Sequence, residues 1–351
     1  MGPCASKDRD LGQWATNGAA EASAHVDEKP EAVLLQRAEI PATSVVDLSP
    51  AFPSLIATAW DDGSIVILDW QMRKVLLTLS AHAKAVNRLS FGPKTRSLYA
   101  CSRDTTISQH VLSSSDAPTA PQSFTGHTLS VSALAINAAE SNLASGSRDT
   151  GTSLWDVTTR ARVQHTTTSQ NIVTCMTWVP QCETLLAQGG EDLCVRLWDT
   201  RSWKSPAQTI QGYVYFPLSI DASDDGNYLL TSSKGFNGVG CEGRVWDRRT
   251  GKLVTEMHGH LQDASACAYM RHKNAYAVTA SKDSSLRIWN SASGELITSS
   301  FDHSSGMFTS VACRSVETSD EVTVFTTSFA GHVSAYTFNT ATLAIDVAVD
   351  D

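Results

Sequence analysis

The chain has 351 residues, 42% of them apolar, a formal net charge of −9 and a pI near 5.5. That is ample apolar content for a core and enough length for two ordinary domains or one large β domain, while the acid excess excludes a nucleic-acid backbone as the main partner, because a phosphate binder needs a basic stripe. No run of about 18 apolar residues predicts a membrane span, and the eight cysteines form no Cys-x-x-Cys pair or even framework, so Cys101, Cys175, Cys194, Cys267 and Cys313, inside strand-like runs, read as small buried hydrophobes in a reducing compartment.

Residues 1–31 are rich in Ala, Asp, Glu and Gly and lack apolar periodicity, which predicts a flexible tail ahead of a folded body over residues 32–351. No charged-then-apolar signal peptide is read there. The opening Met1-Gly2-Pro3-Cys4-Ala5-Ser6 matches the M-G-x-x-x-[ST] acceptor pattern for N-myristoylation at Gly2, and Cys4 is placed to take a palmitoyl chain. One myristoyl group binds membranes only marginally, so a tether needs a second signal. The basic helper is missing: Lys7, Arg9 and Lys29 are outnumbered by Asp8, Asp10, Glu21, Asp27 and Glu28, which puts the weight on Cys4. Pro3 departs from the acceptor pattern, and the competing reading is an ordinary unmodified start.

After the tail, short strands arrive at regular spacing with Gly, Asp and Ser between them, which predicts an all-β fold. Seven three-strand units can be counted, with first strands beginning near Ser44, Ala85, Val131, Ile172, Val214, Ala264 and Phe308. Their spacing of about 40 to 50 residues is that of a four-stranded propeller blade. The fourth strand precedes each new unit, as at Lys74 to Leu79 and Lys252 to Met257. In Val131 to Ile136 apolar residues fall at two-residue intervals. One such blade cannot bury both of its faces, whereas a ring of seven buries them all. Two segments compete to close the ring. Glu31 to Arg37 aligns with Arg73 to Leu79 and is preferred over Thr342 to Val349. A closed ring needs no second copy, so a monomer is expected. Two excursions break the period. Ser113 to Ser123 reads as a Ser/Pro/Ala-rich loop. Lys234 to Gly243, with four glycines, replaces the tight turn between the second and third strands of the fifth unit and carries Phe236 at its tip, a candidate partner contact.

The repeat is plainest in Gly126 to Asp156, GHTLSVSALAINAAESNLASGSRDTGTSLWD, and in Gly259 to Asn290, which also opens on Gly-His and ends in LRIWN. Trp198-Asp199 and Trp246-Asp247 mark two further copies. On these residues the chain resembles the WD-repeat family over about residues 32–351. The resemblance implies a seven-bladed propeller that holds other proteins, with no cofactor and no catalytic site. It also implies a hydrogen-bonded relay in each blade, of a His, a Ser or Thr, a turn Asp and a Trp. His127, Ser145, Asp149 and Trp155 match in full, as do His260, Thr279, Asp283 and Trp289. Elsewhere Asp192 and Trp198 accompany Gln188, His82 and Asp104 accompany His110, Thr58 and Asp62 accompany Leu68, and His303 and Thr326 accompany Tyr336. A His-Ser-Asp trio invites a hydrolase reading, but here it recurs with its Asp in a turn and reads as structural.

In such propellers the residue before each turn Asp projects onto the narrow top face. That ring is Asp61, Arg103, Arg148, Glu191 and Lys282, with Phe329 in the last unit. Arg103 and Arg148, on adjacent blades, suit a clamp for a carboxylate or a phosphopeptide. Trp198 to Arg201 and Trp246 to Arg249 both fit a W-D-x-R box. This is similar to the docking signature of substrate receptors on cullin-RING ubiquitin ligases, which makes Arg201 and Arg249 docking candidates. The alternative is an arginine satisfying a neighbouring Asp. Ser169 to Pro180, Glu191 to Arg201 and Gly235 to Glu242 resemble a ciliary branch of the family. That resemblance implies a membrane-proximal factor in ciliary or flagellar trafficking, with partners in intraflagellar transport, BBSome recruitment and the regulation of Arf-like small GTPases. An enzyme built on the central channel is the remaining reading, and no metal cluster, phosphate loop or isolated triad in the sequence favours it.

Overall fold

The structure, a computed structural model, describes residues 33–36, 43–112, 120–168, 171–273, 275–302 and 306–347. Gly2 and Cys4, with the rest of residues 1–31, and His303 lie outside the described residues, as does most of the predicted loop from Ser113.

Among the described residues every regular element is a β-strand, and the strands form seven antiparallel sheets. The innermost strands are Thr43–Leu48, Val86–Phe91, Val131–Ile136, Val173–Trp178, Pro217–Ala222, Ala264–Tyr269 and Phe308–Ser315. Each lies against the next, and the last against the first, so the sheets are the blades of a closed seven-bladed β-propeller. The apolar side chains are buried between blades, not within them. Seven buried clusters exist among the described residues, one at each blade junction. At the closing junction Ile56, Val66 and Leu68 of the first blade pack on Phe325, Val333 and Ala335 of the seventh. A blade alone would expose two such faces, so the repeats fold only as a ring.

Six of the predicted strand starts fall within one residue of the observed ones, but the fifth inner strand begins at Pro217 and not near Val214. The cause is Tyr213, which turns into the blade and hydrogen-bonds Thr231, leaving Val214 exposed and the Phe216 carbonyl to the Lys234 amide. The Ser/Pro/Ala-rich excursion is also shorter than expected, because Gln122–Phe124 is the fourth strand of the second blade.

Ring closure differs from the expectation of a single closing strand. Val33–Gln36 and Ala344–Val347 both pair with His332–Asn339. The first covers the end from His332 to Ser334, and the second covers Tyr336 to Asn339. The reason is length. The three main strands of the seventh blade have eight residues each, where the inner strands of the other blades have six, so one outer edge accommodates two four-residue strands.

Candidate partner-binding site

The relay groups meet in the third and sixth blades. His127 places Nδ1 2.9 Å from Asp149 and Nε2 2.8 Å from the Ser145 hydroxyl, and the Trp155 indole N–H donates to that hydroxyl at 2.7 Å. One assignment satisfies every group: indole N–H to hydroxyl, hydroxyl O–H to Nε2, Nδ1–H to carboxylate. In the sixth blade His260 reaches Thr279 at 2.7 Å and Asp283 at 3.2 Å, and Trp289 donates to Thr279 at 2.8 Å. Burial pushes the His127 ring below its ordinary pKa against the pull of Asp149, which keeps the imidazole neutral as the relay requires. Burial acts to raise Asp149, but the Thr128 amide and the His127 ring outweigh it and hold that carboxyl below its usual range.

Other blades satisfy the same groups with residues that the sequence reading missed. In the second blade the hydroxyl moves across the strand pair. Ala100 stands where Ser145 would, and its cross-strand partner Ser108 binds His82 at 2.8 Å and His110 at 2.9 Å. His110 Nε2–H thereby replaces the indole N–H. In the fourth blade Asn171 takes the imidazole's role. With its amide turned so that both ends are satisfied, it donates to Asp192 and accepts from Gln188, each at 3.1 Å, while Trp198 donates to the Gln188 carbonyl. In the fifth, Tyr213 reaches Thr231 at 3.0 Å and Trp246 donates to the same hydroxyl at 3.2 Å. In the first and seventh blades the pattern lapses: Leu68 and Tyr336 fill the Trp place, and Tyr336 donates to Asp302 at 3.1 Å.

The six residues preceding the turn Asp positions converge. Asp61, Arg103, Arg148, Glu191, Lys282 and Phe329 all line one cavity of about 760 Å³ at the channel mouth. Arg103, Arg148 and Glu191 are exposed, and their side chains make no hydrogen bond or ion pair among the described residues. Lys282 is held by Asp263 at 2.7 Å.

The wall below this rim has its own regularity. Every inner strand shifts register by one residue just after its start. Such a bulge re-aims one side chain, and Asn87, Ser132, Thr174, Leu218, Ser265 and Thr309 line the cavity in this way. Four of them donate to the inner-strand carbonyl of the following blade: Asn87 to Val131, Ser132 to Val173, Thr174 to Pro217 and Ser265 to Phe308. Leu218 has no polar group to offer, and its carbonyl is taken instead by Arg88 at 3.1 Å, from the second blade across the channel to the fifth. Arg88 lines both this cavity and a second one of about 520 Å³ at the opposite end.

Phe236 lies outside the cavity, 67% exposed on the glycine-rich loop. Gly238 and Gly240 adopt φ of 76° and 79°, and a side chain at Gly240 would strike the Tyr215 ring at 2.1 Å. The loop is therefore built around its glycines. Arg201 and Arg249 project from the other face and are 74% and 68% exposed. Arg201 closes on Asp199 at 2.7 Å and holds that carboxyl down to about 2, and Arg249 lies 3.9 Å from Asp247.

Residues 73–110, 119–156, 160–199 and 251–290 match the family described as WD domain, G-beta repeat. Each match ends on the third strand of a blade, the second, third, fourth or sixth. The chain is 26% identical over 277 residues to nuclear distribution protein nudF of Aspergillus niger, covering 72% of this chain and 60% of that protein. It is 29% identical over 275 residues to nuclear distribution protein PAC1 of Arthroderma benhamiae, covering 70% and 58%. To pre-mRNA-processing factor 19 of Oryza sativa subsp. japonica it is 23% identical over 217 residues, covering 61% and 40%. The chain thus spans at most 60% of the length of these three relatives. The second, third, fourth and sixth blades of this propeller thus carry the segments that match the WD domain, G-beta repeat.

Proposed function

We propose that the protein is a non-enzymatic interaction scaffold whose partners dock on the face that carries the turn Asp residues. The observation behind this is the channel mouth, where Arg103, Arg148 and Glu191, from three consecutive blades, stand exposed around one cavity with no partner for their charges among the described residues. The relay trio does not compete as a catalytic site. The Ser145 hydroxyl is fully buried, accepts the Trp155 N–H and is closed off from any substrate carbonyl.

Within this reading the finer proposal is a membrane-proximal factor in ciliary or flagellar trafficking. It is supported by the likeness of Ser169 to Pro180, Glu191 to Arg201 and Gly235 to Glu242 to WD repeat-containing protein 31. That likeness implies partners in intraflagellar transport, BBSome recruitment and Arf-like GTPase regulation, with acyl groups at Gly2 and Cys4 as the tether. Proximity labelling in a flagellated cell tests both levels. Wild-type protein is expected to label ciliary transport proteins, Arg103→Glu with Arg148→Glu to lose most of those neighbours, and Gly2→Ala to leave the membrane. An unchanged neighbour set in the arginine variant would remove the docking face. Diffuse signal in both wild type and Gly2→Ala would remove the tethered ciliary role. The second reading, a cullin-RING substrate receptor, draws on the exposed heads of Arg201 and Arg249. It requires a cullin adaptor recovered with wild type and lost with Arg201→Ala plus Arg249→Ala.

A further inference from the structure

We infer that the turn-Asp face is shaped for one extended peptide segment carrying a cluster of anionic side chains next to bulky apolar ones. This rests on the scaffold reading above and gives the partner its chemistry. The electrostatic half is the channel mouth. Five cationic side chains, Lys84, Arg88, Arg103, Arg148 and Lys282, line it against Asp61 and Glu191, so the mouth is cationic on a chain whose net charge is −9. Lys84, Arg103 and Arg148 are exposed and form no ion pair among the described residues. Like charges held around one concavity raise its potential, and an anion relieves it. Guanidinium groups take carboxylate or phosphoryl oxygens two at a time.

The apolar half is the glycine-rich loop. The Phe236 amide donates to the Val239 carbonyl at 3.0 Å, and the Gly238 amide donates to the Leu261 carbonyl at 3.1 Å. The loop is thus an ordered flap pinned to the sixth blade. It brings Phe236, Val239 and Leu261, all exposed, beside Tyr215, whose ring packs on Gly240. A contiguous apolar strip on a soluble domain marks a contact surface. The two halves are joined. Asp263 accepts from Lys282 of the cavity at 2.7 Å and from the Gly235 amide at the root of the loop at 3.0 Å. Phe216, a cavity-lining residue, follows Tyr215 directly. A single strand of polypeptide laid across this face meets cations first and the strip next.

The test uses the full chain and fluorescence anisotropy with three labelled peptides, the acidic run without Leu-Phe as a fourth, and anionic vesicles as a separate probe. One has a run of glutamates followed by Leu-Phe, one has phosphoserines in place of two of the glutamates, and one has serines throughout the acidic run. The two acidic peptides are expected to saturate, with their ratio telling carboxylate from phosphoryl preference, and the serine peptide to bind at least about tenfold more weakly. Arg103→Gln with Arg148→Gln is expected to weaken both acidic peptides by about tenfold or more. Phe236→Ser should weaken them severalfold and leave an acidic peptide lacking Leu-Phe unaffected. Both substitutions are on exposed side chains, and unchanged melting temperatures confirm the folds. Equal binding of all peptides by all forms, or saturation only by anionic vesicles, would overturn the inference. So would the absence of peptide binding. If cellular neighbours still depend on Arg103 and Arg148 in that case, the docking face stands and only the peptide chemistry fails.

Discussion

In the third blade the Ser145 hydroxyl holds both the Trp155 indole and the His127 ring. Ser145→Ala leaves a buried donor and a buried acceptor unmet, each worth about 1–3 kcal/mol, so a loss of about 3 kcal/mol is expected. Urea unfolding should show a lower midpoint at unchanged slope. Asp149→Asn and Trp155→Ala are expected to lower the melting temperature as well. This relay is legible in the sequence because its groups sit at fixed offsets within one repeat. Its counterparts are not, because Ser108 replaces a hydroxyl on the facing strand and Asn171 replaces an imidazole from a different offset. Only cross-strand register brings these together. Two titrations follow from burial at this scale. Burial pushes His110 down to about 4, with His82 acting the same way. A lowered folded-state pKa gives stability that is present above the unfolded value, near 6.5, and is lost as pH falls toward 4. Replacing His110 with Phe should flatten melting temperature against pH in that window. Asp47 is the opposite case. Its carboxylate accepts the Phe91 amide at 2.7 Å, joining the first and second blades, yet burial raises it to about 7. A raised value means that stability is full below about 4 and lost as pH rises through about 7. Asp47→Asn keeps an acceptor for Phe91 and removes the charge. It should gain roughly 2 kcal/mol at pH 8, less than the full linkage value because part of the Asp47 residue still meets solvent in the channel, and nothing at pH 4. Asp221 makes the same inter-blade contact, to Tyr269, but with Arg271 bound to it at 2.7 Å.

At the level of strands, the period and the alternation give the blade order, and four-strand spacing gives most inner-strand starts. What the sequence does not display is the shared edge of the seventh blade. Glu31 to Arg37 and Thr342 to Val349 each look like a complete outer strand, and among the described residues each contributes a four-residue strand, because the longer strand His332–Asn339 has edge enough for both. This predicts separable protection. A chain ending at Leu343 should lose hydrogen-exchange protection at those amides of Tyr336 to Asn339 that face the outer edge and keep it across His332 to Ser334, with a modest fall in melting temperature. Protection lost across the whole strand would mean that the two short strands act as one cooperative unit. The glycine-rich loop is legible as an insertion, but its attachment to the sixth blade is not, since that depends on the Leu261 carbonyl and Asp263 lying beside it in space. Gly240→Ala, at φ 79° and against the Tyr215 ring, should free the loop and make the segment from Lys234 to Gly243 sensitive to protease while the blades stay folded.

For the molecule as a whole, two fields of opposite sign act on an approaching anionic segment. The chain carries −9 in total, and the channel mouth carries an excess of cations. Their reach differs. At about 0.01 M salt the screening length is about 30 Å, so the approaching segment senses the acid excess of the whole chain; near 0.15 M it falls to about 8 Å, and both fields are felt only close to their source. Remote repulsion and local attraction therefore weaken together as salt is added. A cationic cup on a neutral body would lose association rate steeply over that range. Here the two trends oppose each other, and the association rate of an acidic peptide, measured by stopped flow, should change by less than about tenfold between those salt concentrations. The dissociation rate, set by the short contacts of Arg103, Arg148 and the apolar strip, should move little. A fall of about a hundredfold in association rate would mean that the mouth alone governs approach. A rise with salt would mean that the acid excess of the whole chain outweighs it. In either case the balance lies in the charge of the whole chain set against that of the mouth, which neither one residue nor one blade determines.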